Sequence, residues 1–124
     1  MIEIEWDADG YPTDETIERL SEGTKSQTEC CEFLASLPDQ LEPCTYAYVT
    51  TCTVESDNSY EICVSTGGWS GVEAIIGEIR KWPLCNLMYF YAWQRGGHFT
   101  WRIPISFAPD WNGTNTESVK RAVK

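Results

Sequence analysis

Two glycine pairs, Gly67-Gly68 and Gly96-Gly97, restrict the fold of this chain more than any other feature. Each pair separates stretches that have the regular apolar pattern of helices or strands. Glycine adopts backbone conformations that other residues avoid, so the chain is expected to turn at both places. If the segment between them is a strand–helix–strand crossover, both pairs lie at the same edge of one sheet.

The first 40 residues predict a short strand and two helices. Residues 2–6 alternate apolar and acidic side chains, which is typical of a strand with one wet face. Thr13 predicts the cap of a first helix that Gly23 ends, and Ser26 predicts the cap of a second. The second helix is expected to stop at Leu37, before a proline.

Four further strands are predicted, as two hairpins. Residues 46–54 and 60–66 are rich in Tyr, Thr and Val and flank a turn. Residues 84–94 and 98–105 flank Gly96-Gly97, a strong signal for a two-residue hairpin.

The segment between the hairpins predicts a helix over residues 70–82. Ser70 and Glu73 have the spacing of a capping box, Trp69 precedes the cap, and Pro83 ends the helix. The resulting order is β-α-α-β-β-α-β-β. It indicates a single α+β domain over residues 1–107, with a mainly antiparallel sheet and helices on one face. Residues 108–124 are polar and are expected to form a flexible tail.

The net charge of −10 is concentrated in residues 1–44, which hold 12 acidic residues and two basic ones. Such a surface is either a well-solvated helical face or a site for a basic partner. Direct DNA binding is not expected, because the chain repels phosphate. The acidic residues chosen as a candidate interaction surface lie on the first helix: Asp14, Glu15, Glu18 and Glu22.

Cysteine spacing and hydropathy argue against a metal-binding, membrane-spanning or secreted protein. The six cysteines show no metal-binding spacing, and the chain holds one histidine, so no metal or cofactor is expected. No apolar run reaches membrane-spanning length, and nothing resembles a secretory signal. We expect an intracellular protein with reduced thiols; its oligomeric state is open.

The last hairpin has an unusual predicted face. With Gly96-Gly97 as the turn, period two places aromatic and cationic side chains together on one side. A binding platform is one interpretation; cross-strand stacking and burial against a partner chain are the others. The aromatic members of this predicted platform are Tyr89, Tyr91 and Trp93.

The edge that carries both glycine pairs is a candidate site for a small anion. A helix N-terminus attracts anions, and glycines permit a close backbone approach. The alternative is a tight turn before a helix cap, and the lysine of a phosphate-binding loop is absent. His98 has no partner evident in the sequence, so no catalytic residue is assigned and an enzyme is not favoured. The candidate ligand-binding residues are Thr66, Gly67, Gly68, Trp69, Ser70, Arg95, His98 and Arg102.

The same motifs carry a resemblance. The chain resembles a family of small uncharacterised proteins encoded by bacteriophages and prophages. The positions that carry the resemblance are residues 10–13, residues 65–71, Ile75-Ile76, Trp93 and residues 95–99. The resemblance implies phage origin and a setting in the host cytoplasm, and it assigns no mechanism. The cysteine-rich stretch from Cys30 to Cys52 is not typical of that family.

Two functions are therefore expected. The first is a phage accessory protein that binds a host protein through its acidic surface. The second is a binder of a small anionic ligand, such as a nucleotide, at the glycine edge. An enzyme that acts at His98 is a third and weaker interpretation.

Overall fold

The computed structural model describes residues 1–109 and the backbone of residues 121–123. It confirms an α+β fold, with three helices and a five-stranded sheet within the described residues. The elements are α1 (Asp14–Glu22), α2 (Gln27–Gln40), β1 (Tyr48–Val54), β2 (Ser59–Ser65), α3 (Ser70–Ile79), β3 (Phe90–Gln94), β4 (His98–Pro104) and β5 (Arg121–Val123).

The sheet has the order β3-β4-β2-β1-β5, and every neighbouring pair of strands is antiparallel. The register places Ile62 beside Trp101 and Tyr60 beside Ile103, on the face that packs into the core. The helices cover this face through buried side chains such as Leu34. The prediction of helices on one face of an antiparallel sheet is confirmed.

The first predicted strand, residues 2–6, does not form; only an isolated bridge joins Trp6 to Pro12. Its backbone is satisfied by helix side chains instead of a neighbouring strand. The amide of Ile4 donates to Gln40 Oε1 at 2.6 Å, and that of Glu5 donates to Thr16 Oγ1 at 3.0 Å. The correct order therefore begins with α1.

The prediction that α2 stops before Pro38 is also wrong, because the helix continues through Pro38 to Gln40. The Gln40 side chain holds this last turn. Its Nε2 donates to Ile2 O at 3.0 Å and to Ser36 Oγ at 2.8 Å. These bonds act together with the Ile4 contact to offset the hydrogen bond that proline removes.

The segment after α3 differs most from its prediction. The helix ends at Ile79, and Pro83 begins a further helical segment whose last part, Cys85–Tyr89, is a π-helical turn. Proline fits the first turn of a helix, where its missing N–H is not needed. The predicted strand over residues 84–94 is therefore reduced to β3.

The end of the chain differs in part from the predicted flexible tail. Residues 121–123 form β5, which pairs with Thr50–Cys52 of β1. Ala108 is buried against the core. The tail prediction for residues 110–120 lies outside the described residues.

Trp82 joins the helices. Its Nε1 donates to Leu20 O at 2.7 Å, at the C-terminal end of α1, and its ring meets Phe33 of α2 edge-on at 5.2 Å. Gly23, the predicted and observed end of α1, lies against the same indole. One side chain therefore sets the position of α1 against α2 and the end of α3.

We predict that Trp82→Phe lowers the free energy of unfolding by about 1–3 kcal/mol, because it removes a buried hydrogen bond and leaves a void. Denaturant unfolding measures the change. Trp93→Phe is the matched control, since Trp93 is 56% exposed, and it is expected to change stability by about 0.5 kcal/mol or less. Equal effects of the two substitutions would contradict the anchoring role of Trp82.

Candidate functional site

The structure brings the two glycine segments together. Strands β2 and β3 run in the same direction with β4 between them, so their C-terminal ends share an edge. The amide of Thr66 donates to Gly97 O at 2.9 Å, which joins the end of β2 to the β3–β4 loop. The predicted juxtaposition is therefore present.

Both glycine segments are needed for close approach. A Cβ at Gly97 would overlap Thr66 Oγ1, and a Cβ at Gly67 would overlap the carbonyl oxygen of Tyr46. Both glycines also have positive φ, at +82° and +62°. Their structural role is to let three pieces of backbone meet at this edge.

Ser65 and His98 form the closest polar pair at the edge. Ser65 Oγ lies 2.7 Å from His98 Nδ1, across the β2–β4 ladder. Ser65 is 4% exposed, and no carboxylate among the described residues is hydrogen-bonded to His98. The pair therefore orients the imidazole without completing a catalytic triad.

The N-terminus of α3 is built differently from its prediction. Trp69, not Ser70, occupies the cap position, and its side chain makes no capping hydrogen bond. Thr66 provides the hydrogen bonds before the helix instead. Its carbonyl accepts from Trp69 N at 3.0 Å, and its hydroxyl accepts from Gly68 N at 3.3 Å. The predicted capping box is replaced by a turn around Thr66.

Two contacts at this N-terminus oppose the binding of an anion. Gly71 lies against Tyr11, Pro12 and the Trp69 indole, so this turn of α3 is covered. Glu73 places a carboxylate oxygen 3.4 Å from Thr66 Oγ1, and a negative charge there repels an anion.

Arg102 does not belong to the edge. It lies four residues along β4 from His98, which is about 13 Å at strand spacing. Its guanidinium pairs with Glu61 at 3.0 Å and Asp57 at 2.8 Å, and stacks on Tyr91 at 3.8 Å. Hydrogen bonds from Ser59 and from Arg102 lower the pKa of Asp57 below its usual value.

The predicted aromatic platform of Tyr89, Tyr91 and Trp93 does not form. Tyr89 is 8% exposed in the π-helical turn, and burial raises its pKa to about 12. The hairpin pairs Gln94 with His98 and Trp93 with Phe99, so its register is one residue away from the predicted one. This shift turns Trp93 to the helix side of the sheet and leaves Tyr91 alone on the outer face.

Sequence reasoning missed a second aromatic group, here called the tyrosine cluster: Tyr11, Trp69 and Tyr46. Trp69 stacks on Tyr11 at 4.9 Å and packs against Tyr46 at 5.4 Å. Tyr46 is 63% exposed and Tyr11 is 39% exposed. The Gly-Tyr-Pro sequence at residues 10–12 was the available signal, but its contact with Trp69 is long-range.

A groove of about 590 Å³ lies beside the tyrosine cluster and is lined by residues 41–42 and 44–49. Tyr46 and Tyr48 form part of its wall, and Tyr48 is 45% exposed. Tyrosine is enriched at protein interfaces, where it offers a large apolar area and a polar tip.

The acidic residues of α1 form one exposed stripe, here called the acidic stripe: Asp14, Glu15, Glu18 and Glu22. The opposite side of the helix buries Thr16 and Leu20. No salt bridge to the stripe is found within residues 1–109, and Arg19 of the same helix pairs with Glu5 at 3.1 Å. The stripe therefore presents uncompensated negative charge to solvent.

Within the described part of the chain, no group of three or more His, Cys, Asp or Glu side chains is placed to hold a metal ion. No helix among the same residues is both long and apolar enough to cross a membrane.

We predict that Gly97→Ala destabilises the protein far more than Gly68→Ala. Both positions have positive φ, but nothing lies within 4 Å of a Cβ at Gly68, whereas one at Gly97 meets Thr66. The Gly68 variant is expected to lose about 1 kcal/mol from backbone strain alone, and the Gly97 variant clearly more. Thermal unfolding of both measures the difference. Similar losses would show that the two glycine segments are not packed as described.

The sequence matches no model of a known protein family, and neither curated proteins nor solved structures showed a similar protein.

Proposed function

We propose that the chain is a small phage-type accessory protein that binds a basic host protein through its acidic stripe and the neighbouring tyrosine cluster. The observation that carries this proposal is the uncompensated charge of α1. The resemblance to phage-encoded proteins supplies the setting, which is the host cytoplasm. No enzymatic step is part of the proposal.

Like charges repel one another along the acidic stripe of the free protein. Asp14 and Glu18, and Glu18 and Glu22, are like charges four residues apart, and such pairs destabilise a helix. Asp14 and Glu15 lie in the first turn of α1, where the helix dipole favours acidic residues, so the repulsion centres on Glu18 and Glu22. Attraction of a positively charged partner is the effect that such a surface produces, through faster encounter and rejection of acidic proteins.

The tyrosine cluster supplies contact area that charge alone lacks. Tyr11 lies in the same loop as Asp7, and its backbone amide donates a hydrogen bond to the Asp7 carboxylate at 3.0 Å. The next residues, Pro12 and Thr13, lead directly into α1. The exposed rings therefore lie close to the start of the acidic stripe. Partner lysine or arginine side chains could stack on these rings and pair with the carboxylates.

The direct test compares two double variants with the same change in net charge. Glu18→Lys with Glu22→Lys cancels the net charge of the stripe, and Glu32→Lys with Glu55→Lys changes exposed acids on α2 and on the turn after β1. In pull-downs from host lysate, we expect the first pair to reduce partner capture by about tenfold or more, and the second to retain it. Equal capture by both variants, or equal loss, would contradict the proposal.

We predict that Glu18→Gln stabilises the protein while weakening partner capture. Removing the central charge relieves repulsion with Asp14 and Glu22, and should raise Tm by about 1–4 °C at low salt. Differential scanning calorimetry at low and high salt measures the gain, which salt should reduce. A fall in Tm would show that the charge of Glu18 has a stabilising partner.

The contribution of the rings has its own comparison. Tyr46→Ala is expected to weaken capture by about tenfold, as truncation of an interface tyrosine does. Trp93→Ala removes another exposed aromatic ring far along the sheet and should leave capture unchanged. The reverse result would place the interface at β3.

The meeting of the two glycine segments favours a second candidate, a small anionic ligand at this edge held by Arg95 and His98. Arg95 is exposed at the loop that joins β3 to β4. Nucleotides and inorganic phosphate should then raise the Tm of the wild type. The same ligands should not raise the Tm of Arg95→Ala or His98→Ala, whereas the control variant Lys25→Ala should keep the shift. Absence of any shift in the wild type would remove this candidate.

A further inference from the structure

The edge of β1 that faces away from β2 is only partly covered. Strand β1 has seven residues, Tyr48–Val54, and β5 pairs with three of them, Thr50–Cys52. On this side of β1, no strand among the described residues reaches Tyr48 or Val49. An uncovered edge presents backbone N–H and C=O groups that can pair with another extended segment.

The segment that occupies this edge differs in charge from the rest of the chain. Residues 120–124 hold three basic residues, Lys120, Arg121 and Lys124, and no acidic residue, whereas the whole chain has a net charge of −10. Backbone pairing over residues 121–123 therefore joins a basic segment to an acidic protein. The edge accepts an extended basic strand within this chain.

The pairing of β5 is short enough to be exchanged. It consists of three residue pairs, from Thr50 with Val123 to Cys52 with Arg121. Short edge elements open at a free energy well below that of global unfolding. Membership of the same chain gives β5 a high effective concentration at the edge. An incoming segment that also pairs with Tyr48 would form a longer ladder, and this is what favours it over β5.

The groove beside the tyrosine cluster continues this edge beyond β5. Its wall includes the exposed rings of Tyr46 and Tyr48 and the exposed acid Glu42. In an added strand, alternate side chains point to the same face of the sheet. Lysine or arginine at these positions would stack on the rings and approach the carboxylate of Glu42. The groove therefore suits a segment that is extended and basic.

We propose that the edge of β1 over Tyr48–Cys52 docks an extended basic segment of the partner protein as an added strand, which displaces β5. The inference rests on the proposed function for the basic character of the partner. Main-chain hydrogen bonds supply the affinity of such an added strand, and the groove selects its side chains. In the free protein, β5 covers part of the edge and protects it from pairing with unrelated strands.

The first test titrates a fluorescent peptide with blocked ends, Val-Lys-Arg-Ala-Val-Lys-Val-Lys, into the full chain. Its first six residues repeat residues 119–124, and the last two extend the strand past Tyr48 in the register of β5. The control peptide has proline in place of alanine and of the valine that follows it. It has the same charge, but two consecutive N–H groups are lost, one of which would face β1.

Fluorescence anisotropy is expected to show that the first peptide binds at least about tenfold more tightly than the proline peptide. Equal binding of the two peptides would mean that a basic peptide is merely attracted to an acidic protein, and it would overturn the proposal.

Release of β5 gives the second test. Ala122→Pro with Val123→Pro removes the same two N–H groups from the full chain. We expect this variant to bind the first peptide about tenfold more tightly than the wild type, because β5 no longer occupies the edge. Ala122→Ser with Val123→Thr keeps both N–H groups and should bind as the wild type does. Equal affinity of the proline variant and the wild type would contradict the displacement of β5.

Two further measurements keep the result decisive. Light scattering that shows a wild-type dimer, and a monomer for the proline variant, would assign the edge to β5 of a second copy and overturn the proposal. If the proline variant does not fold, an NMR titration of the wild type decides. The first peptide should shift the amides of Thr50–Cys52, and shifts confined to α1 would overturn the proposal.

The failure of this inference is distinguishable from the failure of the proposed function. The peptide tests contain no host protein, whereas Glu18→Lys with Glu22→Lys tests the acidic stripe through partner capture. Loss of capture in that double variant together with equal binding of the two peptides would retain the acidic stripe and overturn strand docking.

Discussion

The hydrogen bond from the Trp82 indole to the carbonyl of Leu20 is the contact on which the rest of the structure depends. It joins the end of α1 to the segment after α3, while the same ring packs on Phe33 of α2. Helix α1 is short, and a helix of this length is marginal without tertiary packing. Trp82 therefore does more than fill the core: it fixes which side of α1 is buried and which side presents its acids to solvent.

This anchoring explains how the chain tolerates the repulsion between Glu18 and its acidic neighbours on α1. Repulsion along α1 is small for each pair, and the buried contacts of Leu20 and Trp82 offset it. The charge that the proposed partner would contact is therefore compatible with the fold.

Local signals predicted much of the fold. Thr13 and Gly23 delimit α1 as expected, and the alternation in residues 60–66 places Ile62 and Val64 in the core.

The predictions that were wrong concern elements whose structure depends on long-range contacts. The Gln40 side chain is hydrogen-bonded to the backbone of Ile2 and Ile4, in a segment that an alternating pattern alone assigns to a strand. A three-residue loop and a bulge shift the last hairpin and move Trp93 to the other face, and no local pattern reveals such a shift. The meeting of the glycine segments was predictable from topology, whereas the tyrosine cluster was not, because Tyr11 and Trp69 are far apart in sequence.

Hydrogen exchange of the indole N–H groups tests the anchoring of α1 most directly, since NMR resolves each tryptophan Nε1–H separately. We predict that the Trp82 indole proton exchanges only through global unfolding, together with the amides of α1, while that of exposed Trp93 exchanges rapidly. Rapid exchange of the Trp82 proton in the folded protein would contradict it, because α1 and its acidic stripe would then not be fixed to the core.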